Sequence, residues 1–66
     1  MDRQELVAKL TNLSFQGAAR KSPIPQGDWA KVAAAGREWA IETGTPVNQA
    51  ITVACRHYWE LWEAKR

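Results

Sequence analysis

Apolar residues recur at three- and four-residue spacing in three stretches of the chain, at about residues 2–17, 29–43 and 46–64. This spacing places them on one side of a helix, so it predicts three helices. The predicted apolar stripes are Leu6, Leu10 and Leu13 in the first helix, Trp29, Val32, Gly36, Trp39, Ala40 and Thr43 in the second, and Val47, Ala50, Ile51, Ala54, Tyr58, Leu61 and Trp62 in the third. The expected fold is therefore all-α, with residues 1–66 forming a single small domain.

The second and third predicted helices meet at a tight turn. Gly44 has no Cβ, so it can end a helix in the left-handed conformation at little cost. Thr45 can then cap the next helix, and Pro46 suits its first position, where a missing N–H costs nothing. Gly36, on the apolar stripe of the second helix, indicates close approach of another helix. These residues predict a two-helix hairpin.

Residues 18–28 interrupt the helical pattern between the first two helices. Pro23 and Pro25 each bias the preceding residue toward extended backbone, so we expect this segment to be a linker. A short extended ribbon near residues 19–24 is the alternative. Asp28, at the end of the segment, is expected to cap the second helix.

The chain is short for a stable globular domain. A domain of its 66 residues buries only about 60% of the surface that the unfolded chain exposes, and its single cysteine allows no internal disulfide. The third helix is apolar over more than one stripe, which suits a second neighbour. We therefore expect a homodimer, with Tyr58, Trp59 and Trp62 at the interface with the second copy or with another partner protein.

Cysteine use and hydropathy bear on location. The lone Cys55 fits a reducing compartment, and charged residues rather than an apolar signal core follow Met1. No apolar run approaches the roughly 20 residues that span a bilayer. The expected location is the cytoplasm, with no membrane partner.

The sequence offers little for catalysis. His57 is the only histidine, and Cys55 lies two residues from it on a different helical face. Phosphate-binding glycine loops and zinc-ligand spacings are also missing from the sequence. We therefore expect a binding protein rather than an enzyme, without a cofactor or a metal.

The positive charge is mild but unevenly placed. Nine Lys and Arg residues against seven Asp and Glu residues give a net charge of +2. Arg20, Lys21 and Lys31 lie around the linker, where only Asp28 opposes them. This distribution is compatible with a polyanionic partner but does not establish one.

Residues 39–59 follow an ordered pattern, in which an apolar residue and Ala precede Gly, a cap, a second apolar residue, Asn and an apolar stripe ending in Tyr. The positions are Trp39, Ala40, Gly44, Thr45, Val47, Asn48, Ile51, Ala54 and Tyr58. This pattern resembles the two-helix part of the ribbon-helix-helix family, the Arc and methionine repressor type, over about a third of the chain.

The resemblance implies a dimer that binds double-stranded DNA. In that family a strand before the first helix pairs with its twin, and the ribbon enters the major groove. The matching segment here is residues 19–24, in which Arg20 and Ser22 would share one face and Lys21 would lie on the other. The two prolines at its end cannot donate ladder hydrogen bonds, so a ribbon there would be short.

The same stretch also resembles a DNA-binding helix-turn-helix, with Ala40, Gly44, Val47, Ala50 and Val53 in the small, turn and apolar positions. The third helix would then be a recognition helix, started by Thr45 and exposing Asn48, Gln49, Thr52 and Arg56. Carboxamides can bond adenine bidentately and a guanidinium can do so with guanine, so the side-chain types fit. Both modes of DNA reading stay open.

The sequence therefore favours a small dimeric DNA-binding protein, used as a transcriptional repressor or as an accessory DNA-binding factor of a plasmid or phage. The alternative is a small protein-interaction module or inhibitor that docks a Trp-rich helical surface on a partner protein. Four tryptophans in 66 residues favour this alternative, whereas the turn chemistry at Gly44 and the pair Arg20 and Lys21 favour DNA.

Overall fold

A computed structural model of the protein describes residues 3–16, 18–19 and 23–64. Three helices form within these residues, α1 (Arg3–Thr11), α2 (Gln26–Thr43) and α3 (Val47–Ala64). The described part of the chain contains no strand. The predicted all-helical fold with three helices is confirmed, while Arg20, Lys21 and Ser22 of the expected ribbon lie outside the described residues.

The first helix is shorter than the sequence predicts. It ends at Thr11 rather than at residue 17, so the predicted C-terminal boundary is wrong. The N–H of Leu13 donates to the carbonyl of Leu10 at 3.1 Å, which tightens the last turn, and Phe15 has a φ of 56°. The chain leaves the helix here because Phe15 packs into the core, with its ring centroid 4.8 Å from that of Tyr58.

The second helix begins earlier than expected. It starts at Gln26 rather than at residue 29, and the N–H of Trp29 donates to the carbonyl of Pro25 at 2.8 Å. The prediction that Asp28 caps this helix is therefore wrong, since Asp28 lies inside its first turn and is buried. The carboxylate of Asp28 instead accepts a hydrogen bond of 2.8 Å from the hydroxyl of Tyr58 on α3.

The α2–α3 hairpin closes as the sequence predicts. Gly44 ends α2 in the left-handed conformation with a φ of 71°. A Cβ added to Gly36 would lie 3.1 Å from the Cα of Ile51, so the predicted close approach of another helix is confirmed. α3 begins at Val47, one residue after the predicted start, and the carbonyl of Pro46 accepts its first hydrogen bond.

The two helices of the hairpin run antiparallel. Gly36 on α2 meets Ile51 on α3, and Asp28, eight residues earlier on α2, meets Tyr58, seven residues later on α3. Eight residues span about 12 Å along a helix axis, so the two helices stay in contact over at least that distance.

The core lies where α1 covers one side of this hairpin. Its buried residues are Leu6, Leu10, Leu13, Phe15, Val32, Ala35, Ala54, Tyr58 and Trp62. Trp29, Thr43 and Val47, which were predicted to lie on the inner stripes, are exposed instead. The inner side of α2 instead includes Asp28, which bonds Tyr58, and Val32 and Ala35, which join the core with the leucines of α1. Among the described helices, none combines the length and apolarity needed to cross a membrane.

Candidate nucleic-acid interface

The side of α3 that faces away from the core is polar. Asn48, Gln49, Thr52 and Arg56 are all exposed, whereas the opposite side of the helix buries Ala50, Ala54, Tyr58 and Trp62. The period of 3.6 residues per turn gathers the four polar residues into an arc of about 100°. The structure thus brings these four predicted DNA-binding residues together on one surface, which we call the α3 arc.

The N-terminal half of the α3 arc contains an open depression of about 370 Å³. Asn48, Gln49 and Thr52 line it together with Val53, which is half-buried. Sequence reasoning assigned Val53 only a packing position. Val53 follows Gln49 by four residues, so the two side chains are neighbours on the helix surface. This spacing is the signal that could have identified Val53 as part of the site.

The hydroxyl of Thr52 is engaged within its own helix. It donates to the carbonyl of Asn48 at 2.9 Å. Because the hydroxyl proton is used in this bond, the methyl group is the part of Thr52 that is left for an apolar contact with a ligand.

Thr45 stands at the turn before the arc and is half-buried. Its hydroxyl oxygen lies 2.7 Å from that of Thr43, and the Thr43 hydroxyl donates to the carbonyl of Trp39 at 2.7 Å. Each hydroxyl has one proton, so Thr45 is the donor to Thr43. The Thr45 proton therefore orders the turn, and its oxygen is left as an acceptor.

The electrostatic character of α3 changes along its length. The N-terminal half carries the partial positive charge of the helix dipole beside Asn48 and Gln49, which favours anions. Arg56 extends this positive region by two turns. Glu60 and Glu63 follow, and Nδ1 of His57 lies 3.4 Å from Oε2 of Glu60. The part of α3 from Asn48 to Arg56 is therefore better suited to a polyanion than the part that carries Glu60 and Glu63.

The sequence also offers Arg20, Lys21 and Ser22 as DNA-binding residues and Lys31 as a further positive charge. Arg20, Lys21 and Ser22 are outside the described residues. Lys31 lines a separate depression of about 280 Å³ between α1 and α2, where Lys9 forms an ion pair with Glu38. The α3 arc is accordingly the best-defined polar surface among the predicted site residues.

The predicted aromatic interface is mostly internal. Tyr58 is fully buried and Trp62 is 7% exposed, so both belong to the core of a single chain. Trp59 is half-buried and packs edge-on against both of them, with ring centroids 5.1 and 5.6 Å away. Trp29 is the tryptophan that reaches the surface, with 43% of its area exposed.

Cys55 is poorly placed for nucleophilic chemistry. It is half-buried, and burial raises the pKa of its thiol. A raised pKa keeps the thiol protonated, and the thiolate is the reactive form. Cys55 therefore packs as a small apolar residue beside the core.

Comparisons with known proteins add no relative. No family model matches the chain, and no curated protein or solved structure is significantly similar to it. The likeness of residues 39–59 to the ribbon-helix-helix pattern stays a prediction, and the α3 arc is interpreted from the chemistry of its own side chains.

Proposed function

We propose that the protein binds double-stranded DNA as a homodimer, with the N-terminal half of α3 at the major groove. The observation that carries this proposal is the depression lined by Asn48, Gln49 and Thr52 on an exposed helix face. A cytoplasmic repressor or a plasmid or phage accessory factor would use such a surface.

The dimensions and side-chain types of the arc support this proposal. The major groove is about 12 Å wide and admits one α-helix. Carboxamide side chains near the start of such a helix can reach base edges, and helix N-termini favour phosphate contacts. Asn48 and Gln49 lie in the first turn of α3, where both interactions are possible at once.

Exposed apolar residues support the dimer. Ile41 is 82% exposed, Val47 is 47% exposed and Trp29 is 43% exposed. A small domain gains stability when a second copy covers such side chains. Two copies would also present two α3 arcs, which doubles the number of contacts with the duplex.

A mobility shift with random duplex at two salt concentrations tests the proposal. For binding through phosphates, the logarithm of the binding constant falls linearly with the logarithm of the salt concentration, with a slope of about −0.9 per neutralised phosphate.

Arg56→Ala should weaken binding and reduce the magnitude of this slope by about one unit. The matched control is Arg37→Ala, which removes an arginine that is also exposed, on α2, and should leave both quantities unchanged. The proposal fails if duplex binding is undetectable or if the two variants behave alike.

A ribbon built from Arg20, Lys21 and Ser22 is the second mode of DNA reading. The resemblance to the ribbon-helix-helix pattern favours it. Arg20→Ala combined with Ser22→Ala would then relax sequence preference, while changes at Asn48 would lower affinity alone. If changes at Asn48 relax sequence preference and the Arg20 and Ser22 changes lower affinity alone, the result supports reading by α3.

Docking on a partner protein is the second candidate function. The exposure of Trp29, Ile41 and Val47 favours it, because large apolar side chains at the surface often mark protein contacts. Under this second candidate function, Trp29→Ala would abolish partner binding. Neither the wild type nor this variant would bind a DNA duplex.

A further inference from the structure

The depression on α3 has a regular internal arrangement. Asn48 and Thr52 form one i, i+4 row along the helix surface, and Gln49 and Val53 form the neighbouring row. Each row places a carboxamide nearer the helix start and a methyl-bearing side chain one turn later. The two rows therefore present the same pair of chemical groups side by side.

Both methyl-bearing residues can make apolar contacts at this surface. Val53 has no polar atom, and its half-buried side chain keeps one side open to the depression. Thr52 uses its hydroxyl proton in the bond to the Asn48 carbonyl, which leaves its methyl group for contact.

We propose that this depression reads A·T base pairs, with Asn48 and Gln49 bonding adenine and the methyl groups of Thr52 and Val53 contacting thymine. The inference rests on the proposed DNA binding and adds its base preference. It also assigns Val53 a specificity role in place of a packing role alone.

The donor and acceptor pattern of the bases favours this assignment. A carboxamide offers one acceptor and one donor group, which matches the N6 amino group and N7 of adenine. Guanine presents two acceptors on this edge, so it is better matched by two donors. Thymine alone carries a methyl group in the major groove, and the one methyl-bearing side chain beside each carboxamide suits it.

The first experiment selects the preferred sequence from a pool of duplexes with a randomised centre, using the wild-type protein. Enrichment of sites rich in A·T steps is expected. Salt-dependent binding without enrichment, or enrichment of G·C steps, overturns this inference and leaves the proposed function standing. No binding to any duplex overturns both.

The second experiment removes the thymine methyl group without changing the protein. Replacing thymine by deoxyuridine in the selected duplex keeps every hydrogen-bonding group and deletes only the C5 methyl. Wild-type affinity should fall about three- to fourfold for each lost methyl contact. Equal affinity for the two duplexes overturns the role of Thr52 and Val53.

Protein variants locate the contact. Val53→Ala should bind the thymine and deoxyuridine duplexes more equally than the wild type does. The matched control, Val7→Ala, makes the same substitution at a half-buried valine on α1 and should keep the full wild-type difference. Thermal melting of each variant confirms that it is folded. A Val53→Ala protein that keeps the full difference contradicts the proposal.

The adenine contact is tested through N7. Replacing adenine by 7-deazaadenine removes the N7 acceptor, and wild-type binding should weaken roughly 5- to 100-fold per bidentate contact. Gln49→Ala should be less sensitive to this replacement, whereas the control Gln4→Ala, an exposed glutamine on α1, should respond as the wild type does. Equal responses of all three proteins overturn the assignment of Gln49.

Discussion

At the scale of single residues, the contact between Asp28 and Tyr58 ties the two long helices together inside the core. The Asp28 carboxylate is 6% exposed and accepts the Tyr58 hydroxyl proton at 2.8 Å. The Tyr58 ring also stacks on Phe15 from the segment after α1. A buried carboxylate requires such a donor, because an unsatisfied one would retain its desolvation cost.

Tyr58→Phe should lower the free energy of unfolding by about 1–3 kcal/mol, because it removes the donor and leaves the Asp28 carboxylate buried without that partner. Urea denaturation measures the change. Asp28→Ala, which removes the acceptor, and the double variant complete a double-mutant cycle. A coupling free energy of zero between the two positions would show that the bond contributes nothing.

The stability contributed by Tyr58 should depend on pH. Burial, then the hydrogen bond and the negative charge of Asp28, raise the pKa of the Tyr58 phenol above its ordinary value of about 10. As pH rises past about 10, the unfolded chain releases this proton while the folded chain retains it. The free energy of unfolding should therefore be insensitive to this group below about pH 10 and should fall above it.

Tyr58→Phe is the control for the pH experiment, because lysines titrate in the same range in both proteins. The stability difference between wild type and variant should be constant below about pH 10 and shrink at higher pH. A difference that grows with pH would contradict the raised pKa.

At the scale of helices and turns, local chemistry explains the hairpin and distant contacts explain the rest. Gly44 and Gly36 were predictable because a left-handed stop and a close helix contact each depend on the glycine itself. The end of α1 was predicted too late, because the apolar spacing continues to Leu13, whereas the structure places Phe15 outside the helix and against Tyr58, which is distant in sequence. The start of α2 was missed for a related reason, since Asp28 is held by a partner 30 residues away.

Gly44→Ala should destabilise the protein by about 1–2 kcal/mol, because an L-residue resists the left-handed conformation. No atom lies within 4 Å of the position of the added Cβ, so the cost comes from the backbone alone. Gly27→Ala is the matched control, since its added Cβ also meets nothing within 4 Å and its φ is not positive. That change should be neutral or stabilise the protein by up to about 1 kcal/mol. Equal melting temperatures for the two variants would show that Gly44 is not required as a stop.

At the scale of the whole molecule, the candidate site was partly predictable from the sequence. Helical periodicity alone placed Asn48, Gln49, Thr52 and Arg56 on one exposed face, and the structure places them there. The orientation of the aromatic residues was harder to predict, because α1 covers the side of α3 that carries Tyr58 and Trp62. Periodicity shows that a stripe is apolar but not which neighbour buries it.

The homodimer is tested by sedimentation at micromolar concentration. The proposed homodimer would sediment as a particle with twice the mass of the 7.4 kDa chain, in which the second copy covers some of the exposed Trp29, Ile41 and Val47. Dilution should shift the distribution toward the single chain by mass action. A well-folded 7.4 kDa particle at every concentration would exclude the shared interface.

The most direct test of the central claim maps the DNA-contacting surface on the protein itself. Amide shifts of ¹⁵N-labelled protein would be compared with and without a selected duplex. The largest changes are expected at Asn48, Gln49, Thr52 and Val53, including the side-chain amides, with little change at Glu60 or Ile41. Changes confined to Trp29 and α2, or no change at any residue, would contradict DNA binding through the N-terminal half of α3.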